Sequence, residues 1–265
     1  MKRTHDIASV ESSRVDLSFE SSHKSLSPAK KLRKSQKQGT LSFQSNINET
    51  KTCKLCGMSY LKYLKQDQQL HEEYHTNFVD GLSWQFSGNY LKSITVVVKK
   101  QRHKINFVAI DTDSTPQIRR VDDVLHMVNQ ELNASSGSDS WKKTPGQAVL
   151  AITNRRVIGI VVTETIDDVE GQSRWMIHKT QAIVPKQINK NAKLGISRIW
   201  VAYNWRRLGI STALLTTITT YPKPIHRREI AFSQPSTNGG LLCAKFNGVK
   251  HKSGEILLPV YLEHT

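Results

Sequence analysis

Two thiols and two imidazoles carry the most specific chemistry in this chain. Cys53-x2-Cys56 is followed by fourteen residues and then by His71-x3-His75. Two thiolates on a hairpin and two imidazoles one helical turn apart can close a tetrahedron around Zn²⁺. His71 and His75 stand at i and i+4, so both rings leave one face of a helix. Tyr60, with Leu70 as a partner, supplies a small apolar core beneath the metal. The other reading of these four residues is a pair of free thiols and two surface histidines. A DNA-reading finger needs basic and amide side chains at the start of its helix and usually works in tandem. This one is single, carries Asp67, Glu72 and Glu73 in its helix region, and has a longer Cys-to-His interval than the common ~12. It reads as a structural or protein-contacting finger.

The second constellation is a strand, a basic glycine loop and a helix. The apolar run Ile196–Val201 leads into Arg206-Arg207-Leu208-Gly209-Ile210-Ser211, and a helix is expected over residues 207–220. Main-chain N–H groups that lead into a helix N-terminus form an anion site. Gly209 permits close backbone approach, Arg206 and Arg207 add charge for a pyrophosphate, and the small Ser211 leaves room at the helix start. The plainer alternative is a basic turn ahead of an ordinary helix.

The elements that must hold these residues are mostly strands. Residues 91–100, 105–110, 148–153, 157–165, 175–178, 229–233 and 256–262 are β-branched-rich or alternating runs. A helix is expected over 121–132 from the spacing of Val121, Val124, Leu125, Val128 and Leu132. A loop is expected over 133–139 and a further helical stretch over 240–246. Few helices and many strands predict an α+β fold, with a mainly antiparallel sheet interrupted by one strand–loop–helix unit.

Composition sets the boundaries. The 265 residues carry 38 Lys+Arg against 22 Asp+Glu, a formal net charge of +16, and 37% hydrophobic residues. Residues 1–50 hold eleven serines and nine basic against five acidic residues, a composition that cannot bury enough apolar surface to offset chain entropy. The remainder, with 29 basic and 17 acidic residues, is itself basic and suited to anions. Three cysteines make no disulfide framework, no apolar run reaches the ~18 residues of a membrane span, and the N-terminus shows no secretory leader. The expected organisation is a disordered tail over 1–50, a finger over 51–80 and a catalytic domain over 81–265. Within the tail, Pro28–Lys34 is a compact basic cluster, readable as a solvated charge run or as a nuclear address.

The RRLGIS loop after a strand resembles the acetyl-CoA pyrophosphate loop of the GCN5-related N-acetyltransferases, Ser211 being a mild departure from the small residue usual there. Four motifs taken in order, the Cys-x2-Cys-Gly-Met-x-Tyr finger, GISRIWV, RRLGIS and EIAFSQPS over 229–236, resemble the cohesin acetyltransferases, and the compact length resembles their fungal members. The resemblance covers about residues 51–265. It implies the superfamily's mixed, mainly antiparallel sheet with flanking helices, preceded by a C2H2-type zinc finger. It also implies a nuclear enzyme that moves acetyl from acetyl-CoA to lysines of the cohesin SMC subunit, establishing sister-chromatid cohesion in S phase.

At residue level the resemblance implies that main-chain N–H groups of Ile199, Trp200 and Val201 face the thioester carbonyl. Arg206, Arg207, Leu208, Gly209, Ile210 and Ser211 would hold the pyrophosphate, and Phe232, Ser233, Gln234 and Pro235 would line the pantetheine arm. Ser197 matches an active-site position. Gln234 stands where vertebrate-like members carry Asp, so it cannot serve as base in the same way. Glu229 is a candidate carboxylate, with an exposed strand-end charge as its other reading, and Asp167 and Asp168 read as solvated. Cys243 reads as a small buried hydrophobe. Gln38–Phe43 resembles, imperfectly, the box that docks on the replication sliding clamp. The competing class is a non-enzymatic zinc-finger protein bound to DNA or chromatin, which accounts for the charge but not for the strand–loop–helix unit.

Overall fold

The computed structural model describes residues 50–134 and 147–263. The tail over residues 1–49, with its basic cluster and clamp-box-like hexamer, lies outside them, as does most of the 133–139 loop. The described residues all fall within one compact unit, Asn46–Thr265.

The chain opens with a small hairpin, β1 (Thr50–Thr52) and β2 (Ser59–Leu61), followed by α1 (Lys65–Asp80). Then come β3 (Leu82–Ser83), β4 (Asn89–Val98), β5 (Gln101–Ala109), α2 (Thr115–Leu132), β6 (Gln147–Thr153), β7 (Arg156–Thr165), the short α3 (Val169–Gln172) and β8 (Ser173–Ile177). The last third comprises β9 (Leu194–Val201), α4 (Ile210–Ile218), β10 (Ile230–Phe232), α5 (Thr237–Asn247), β11 (Val249–Lys250) and β12 (Ile256–Tyr261).

One large sheet runs in the order β11-β12-β10-β9-β7-β6-β5-β4, with β3 on β7 and β8 on β12. It is antiparallel except where β10 lies parallel to both β9 and β12. The expected single strand–loop–helix interruption is therefore two crossovers, β9-α4-β10 and β10-α5-β12. The runs expected at 91–100 and 105–110 form one long hairpin whose turn is Lys99-Lys100.

Helices cover both faces, which is why β6 and β7 read as continuous apolar runs rather than alternating ones. Val121, Val124, Leu125 and Val128 seat α2. Its first turn reaches back to Thr115 because Pro116 is acceptable there, and Asn133 closes it in the left-handed region. On α4, Ile210, Leu214, Leu215 and Ile218 are buried. The Thr216, Thr217, Thr219 and Thr220 hydroxyls donate to carbonyls three or four residues back, which accommodates this threonine-rich sequence in helical geometry. A Cβ on Gly159 would point at Leu214, whereas Arg198 and Trp200 reach α2, so α4 and α2 lie on opposite faces.

Arg198 ties the central strand to α2. It is buried, donates through Nε to Asn129 Oδ1 at 2.8 Å and through a terminal nitrogen to the Ser197 carbonyl at 2.7 Å, and pairs with Glu263 at 2.5 Å. The passage from α1 to the sheet depends on Gly81, which has φ +90° and sits so close to β7 that a Cβ would lie 2.2 Å from the Val157 carbonyl oxygen. Gly81→Ala should therefore destabilise the protein by ~1–3 kcal/mol, read as a lower melting temperature; an unchanged value would show that the α1–sheet junction bears no such constraint.

Candidate functional site

Two constructions meet at one end of the sheet. In the first, the β1–β2 hairpin presents Cys53 and Cys56 to the α1 face that carries His71 and His75. The four donor atoms lie within 4.8 Å of one another. Cys53 Sγ is 3.3 Å from His75 Nδ1, and His71 Nε2 is buried with no hydrogen-bond partner, as a metal ligand's nitrogen would be. The Tyr60 ring stacks on His71 with centroids 4.1 Å apart. The Cys53 thiol is held down to about 5, first by the main-chain N–H of Cys56 and then by His71, so it is a thiolate at neutral pH. Burial pushes Cys56 the other way. This donor set fits a four-coordinate structural Zn²⁺. Leu70, expected in the finger's small core, is instead 58% exposed, because the helix turns it outward.

The second construction is a parting of two parallel strands. β10 pairs with β9 from Ile230↔Leu194 to Phe232↔Ile196, and the Ser233 N–H closes the ladder on the Ile196 carbonyl at 2.9 Å. Beyond that point β9 keeps only β7 as a neighbour among the described residues. The register against β7 slips between Val162↔Arg198 and Thr163↔Ile196, which makes Ser197 the extra, bulged residue. Ser233 Oγ donates to the Ser197 carbonyl at 2.9 Å, at the foot of the gap. Ala202 N–H donates to Ile158. By antiparallel alternation, Trp200 and Arg198 also turn their main chains to β7, leaving those of Ile199 and Val201 toward the gap. The Val201 carbonyl accepts from Arg206 Nε at 2.8 Å, so the open edge offers the N–H groups of Ile199 and Val201 and the carbonyl of Ile199. Such preorganised donors suit an oxyanion.

From β9 the chain makes one 3-10 turn, Tyr203–Trp205, and enters α4 through Arg206–Gly209. Gly209 is the N-cap, with φ +81° and ψ 3°, and a Cβ there would meet nothing within 4 Å. The space above the loop is open, and the first-turn N–H groups of α4 have no intrahelical acceptor. Arg207, exposed and with φ +63°, flanks them. Open amides, the positive end of a helix and a guanidinium together make an anion cradle.

Comparison with known proteins agrees with both constructions. A family model described as ESCO1/2 acetyl-transferase matches residues 190–256, and one described as the zinc-finger of acetyl-transferase ESCO matches residues 38–77. N-acetyltransferase ECO1 of Debaryomyces hansenii is 42% identical over 254 residues, covering 85% of this chain and 88% of that protein. N-acetyltransferase ECO1 of Saccharomyces cerevisiae is 32% identical over 257 residues, covering 82% and 91%. The chain belongs to the ESCO acetyltransferase family. The solved structure of the xEco2 acetyltransferase domain is 20% identical, covers 68% of this chain and 99% of that one, and superposes with a TM-score of 0.48.

As an ESCO acetyltransferase the protein is an enzyme, and the non-enzymatic finger reading falls. Several residue expectations change with the geometry. Arg206 does not face the anion cradle. It pairs with Glu131 at 2.6 Å and lies 5.6 Å from the ring centroids of both Phe78, at the end of α1, and Tyr203. Glu131 also accepts from the Trp200 indole. Trp200, whose main chain faces β7, thus supports the site from behind. Asn204 donates to Asp80 at 2.8 Å, a second link between the loop and the finger helix. Leu208 and Ile210 pack their side chains into the core, so only their main chains are available, whereas Ser211 is half-buried on the first turn of α4.

On the β10 side, Phe232 is a core residue at 2% exposure rather than a wall of the gap, while Ser233 and Pro235 are half-buried and Gln234 is exposed. Ser197 is buried, its hydroxyl 3.4 Å from the Val162 carbonyl. Glu229 does not reach the site. It precedes β10, some three residues or ~10 Å of strand from the parting. There it pairs with Lys193 and accepts from the His226 N–H at 3.0 Å, and it is held below the usual carboxylate range first by Lys193 and then by that N–H. Asp168 caps α3, and Cys243 is fully buried with its thiol pushed up by desolvation. Sequence reasoning missed Glu131, whose partners lie 69 and 75 residues away.

Cys53→Ala should lose bound zinc, read by metal analysis of the purified protein, and melt at a lower temperature; retention of one equivalent of zinc would refute the four-ligand assignment.

Proposed function

We propose that the protein transfers acetyl from acetyl-CoA to the ε-amine of lysines on the ATPase head of the cohesin SMC subunit, acting in the nucleus during S phase to establish cohesion. The observation that carries this reading is the anion cradle around Gly209 at the carboxyl end of a parted parallel strand pair. A pyrophosphate on the α4 amides and Arg207 directs the rest of the cofactor toward the gap, where the N–H groups of Ile199 and Val201 await a thioester carbonyl. The amine nitrogen attacks the carbonyl carbon, the oxyanion leans on those N–H groups, the C–S bond breaks, and the departing thiolate takes up the proton that the attacking nitrogen releases, so coenzyme A leaves as the thiol. A preorganised donor of this kind contributes ~3–4 kcal/mol to such a step.

The acceptor lysine has an ordinary pKa near ~10.4 and must first lose a proton to solvent water. Gln234, an amide, cannot take it, and Glu229 is engaged with Lys193 outside the gap. Ser197, at the foot of the gap, acts as a relay or positions the amine rather than serving as a base. The likeness of the chain to the ECO1 N-acetyltransferases supports the acetyl-transfer part of this reading.

Gly209→Asp should abolish acetyl-CoA binding in calorimetry, because both a side chain and a like charge enter the cradle. It should also abolish lysine acetylation of purified cohesin by mass spectrometry. Glu229→Gln should leave both unchanged. Normal acetyl-CoA binding by Gly209→Asp would overturn the loop assignment, and acetylation absent from the SMC head while other substrates are modified would overturn the acceptor.

A further inference from the structure

Away from the transfer gap, the free end of the sheet carries a second anion-seeking surface. The β4–β5 hairpin ends in Lys99-Lys100, followed by Arg102, His103 and Lys104, and the β6–β7 hairpin ends in Asn154-Arg155. These tips are neighbours: Asn106 pairs with Ile152, and Thr153 Oγ1 donates to the Lys104 carbonyl at 2.9 Å. Neither Gly81–Ile110 nor Gln147–Thr163 contains a single Asp or Glu. Lys99, Lys100, Arg102, Lys104 and Arg155 are all exposed, and among the described residues none of them has an ion-pair partner.

The turns add a second observation. Lys99, Lys100, Asn154 and Arg155 have φ of 48°, 68°, 48° and 56°. Two-residue hairpin turns of this left-handed kind favour Asn-Gly or Asp-Gly, and an ordinary L-residue costs ~1–2 kcal/mol there. Three of the four turn positions nevertheless hold Lys or Arg, on hairpins whose other ends are anchored by the fully buried Ile105, Phe107 and Leu150. Charge is placed at the expense of conformational ease.

We infer that these two tips form a binding surface for the phosphate backbone of double-stranded DNA. From Lys104, level with the β6–β7 tip, the longer hairpin extends four residues further to Lys100, or ~13 Å. One nucleotide's phosphates cannot engage the whole row, whereas a duplex backbone, with phosphates repeating along each strand, can. Arg102 and Lys104 share an exposed face with their partners Val97 and Thr95, while Val96 on the opposite face is buried in the core. His103 packs edge-to-face on Trp205, centroids 5.2 Å apart, at the start of the cofactor loop, which places the duplex next to the catalytic end without occupying it. The surface reads no bases, so binding is sequence-independent and salt-dependent.

The test is fluorescence anisotropy of the full chain with 20-base-pair duplexes of two unrelated sequences, across a salt series. The wild type should bind both alike. K99Q/K100Q/R102Q/K104Q should bind at least tenfold more weakly near physiological salt, with the log–log salt slope reduced by ~3–4, while melting temperature and acetyl-CoA affinity stay unchanged. A companion variant neutralising Lys30, Lys31, Arg33 and Lys34 separates the tail's contribution. Unchanged DNA affinity in the hairpin variant would overturn the proposal, as would loss confined to the tail variant. A fall in acetyl-CoA affinity without one for DNA would assign these cations to the cofactor, and equal competition by polyglutamate at matched charge would assign them to an acidic protein; either result also overturns it.

Discussion

The architecture depends on two parallel strands that pair for three residues and then separate. β10 is short because Gln234-Pro235 follows Phe232 closely, and proline has no N–H to continue a ladder; Ser236 then caps α5 by accepting from Gly239 N–H. β9 continues past that point paired with β7 on one side. Its bulge at Ser197 bends and twists it away from β10 at the point where pairing ends. Separation leaves main-chain groups without strand partners, an arrangement that is costly in a buried setting. The surroundings enforce it. Ser233 Oγ pins the Ser197 carbonyl, Arg198 locks the strand to α2 and Glu263, and Arg206 Nε takes the Val201 carbonyl. The groups left over are the ones an acyl-transfer site needs.

The finger is part of this scaffold. Its helix α1 runs from the metal ligands His71 and His75 through Tyr74 to Phe78 and Asp80, and those last residues touch Tyr203, Asn204 and Arg206 on the cofactor loop. Burial raises the Tyr74 phenol, and the nearby Cys56 and Glu131 raise it further, while its ring stacks on Phe78 with centroids 6.2 Å apart. A C2H2 unit with an acidic helix, poorly suited to DNA, is well suited to this buttressing role. It meets the loop through the Phe78–Tyr203 stack, the Asn204–Asp80 hydrogen bond and the Arg206 guanidinium beside Phe78.

What the sequence disclosed and what it withheld follow from distance along the chain. The zinc quartet and the strand–loop–helix are local patterns: residue type and spacing within some twenty positions specify them, and the structure assembles both. The start of α4 at Ile210 rather than 207 was also local, since Gly209 in the left-handed region must precede the helix. Glu131, by contrast, is unremarkable at the end of α2 until Trp200 and Arg206 arrive from 69 and 75 residues away. Glu229 misled for the same reason. Its neighbours in sequence suggested an active-site strand, but Lys193, 36 residues earlier, and the His226 N–H define its surroundings. The turn at Lys99-Lys100 was hidden because its residues are not turn formers, so one hairpin read as two separate strands.

The change in Arg206 alters the electrostatics of the cofactor loop. Read as sequence, RRLGIS offers two guanidinium groups to a diphosphate. In the fold Glu131 pairs with one of them, and among the described residues Arg207 is the loop's guanidinium without an ion-pair partner, beside a helix terminus worth roughly half a charge. A diphosphate ester of about two negative charges placed on this loop would be attracted but not over-compensated, and most of its recognition would pass to main-chain N–H groups of fixed direction. Side-chain charge pulls from a distance and holds indiscriminately, whereas an amide cradle holds only what fits. Arg206 lies beside the stacked Phe78–Tyr203 pair, 5.6 Å from each ring centroid, and is bonded to the Val201 carbonyl and paired with Glu131, so its charge ties the loop to β9, α1 and α2.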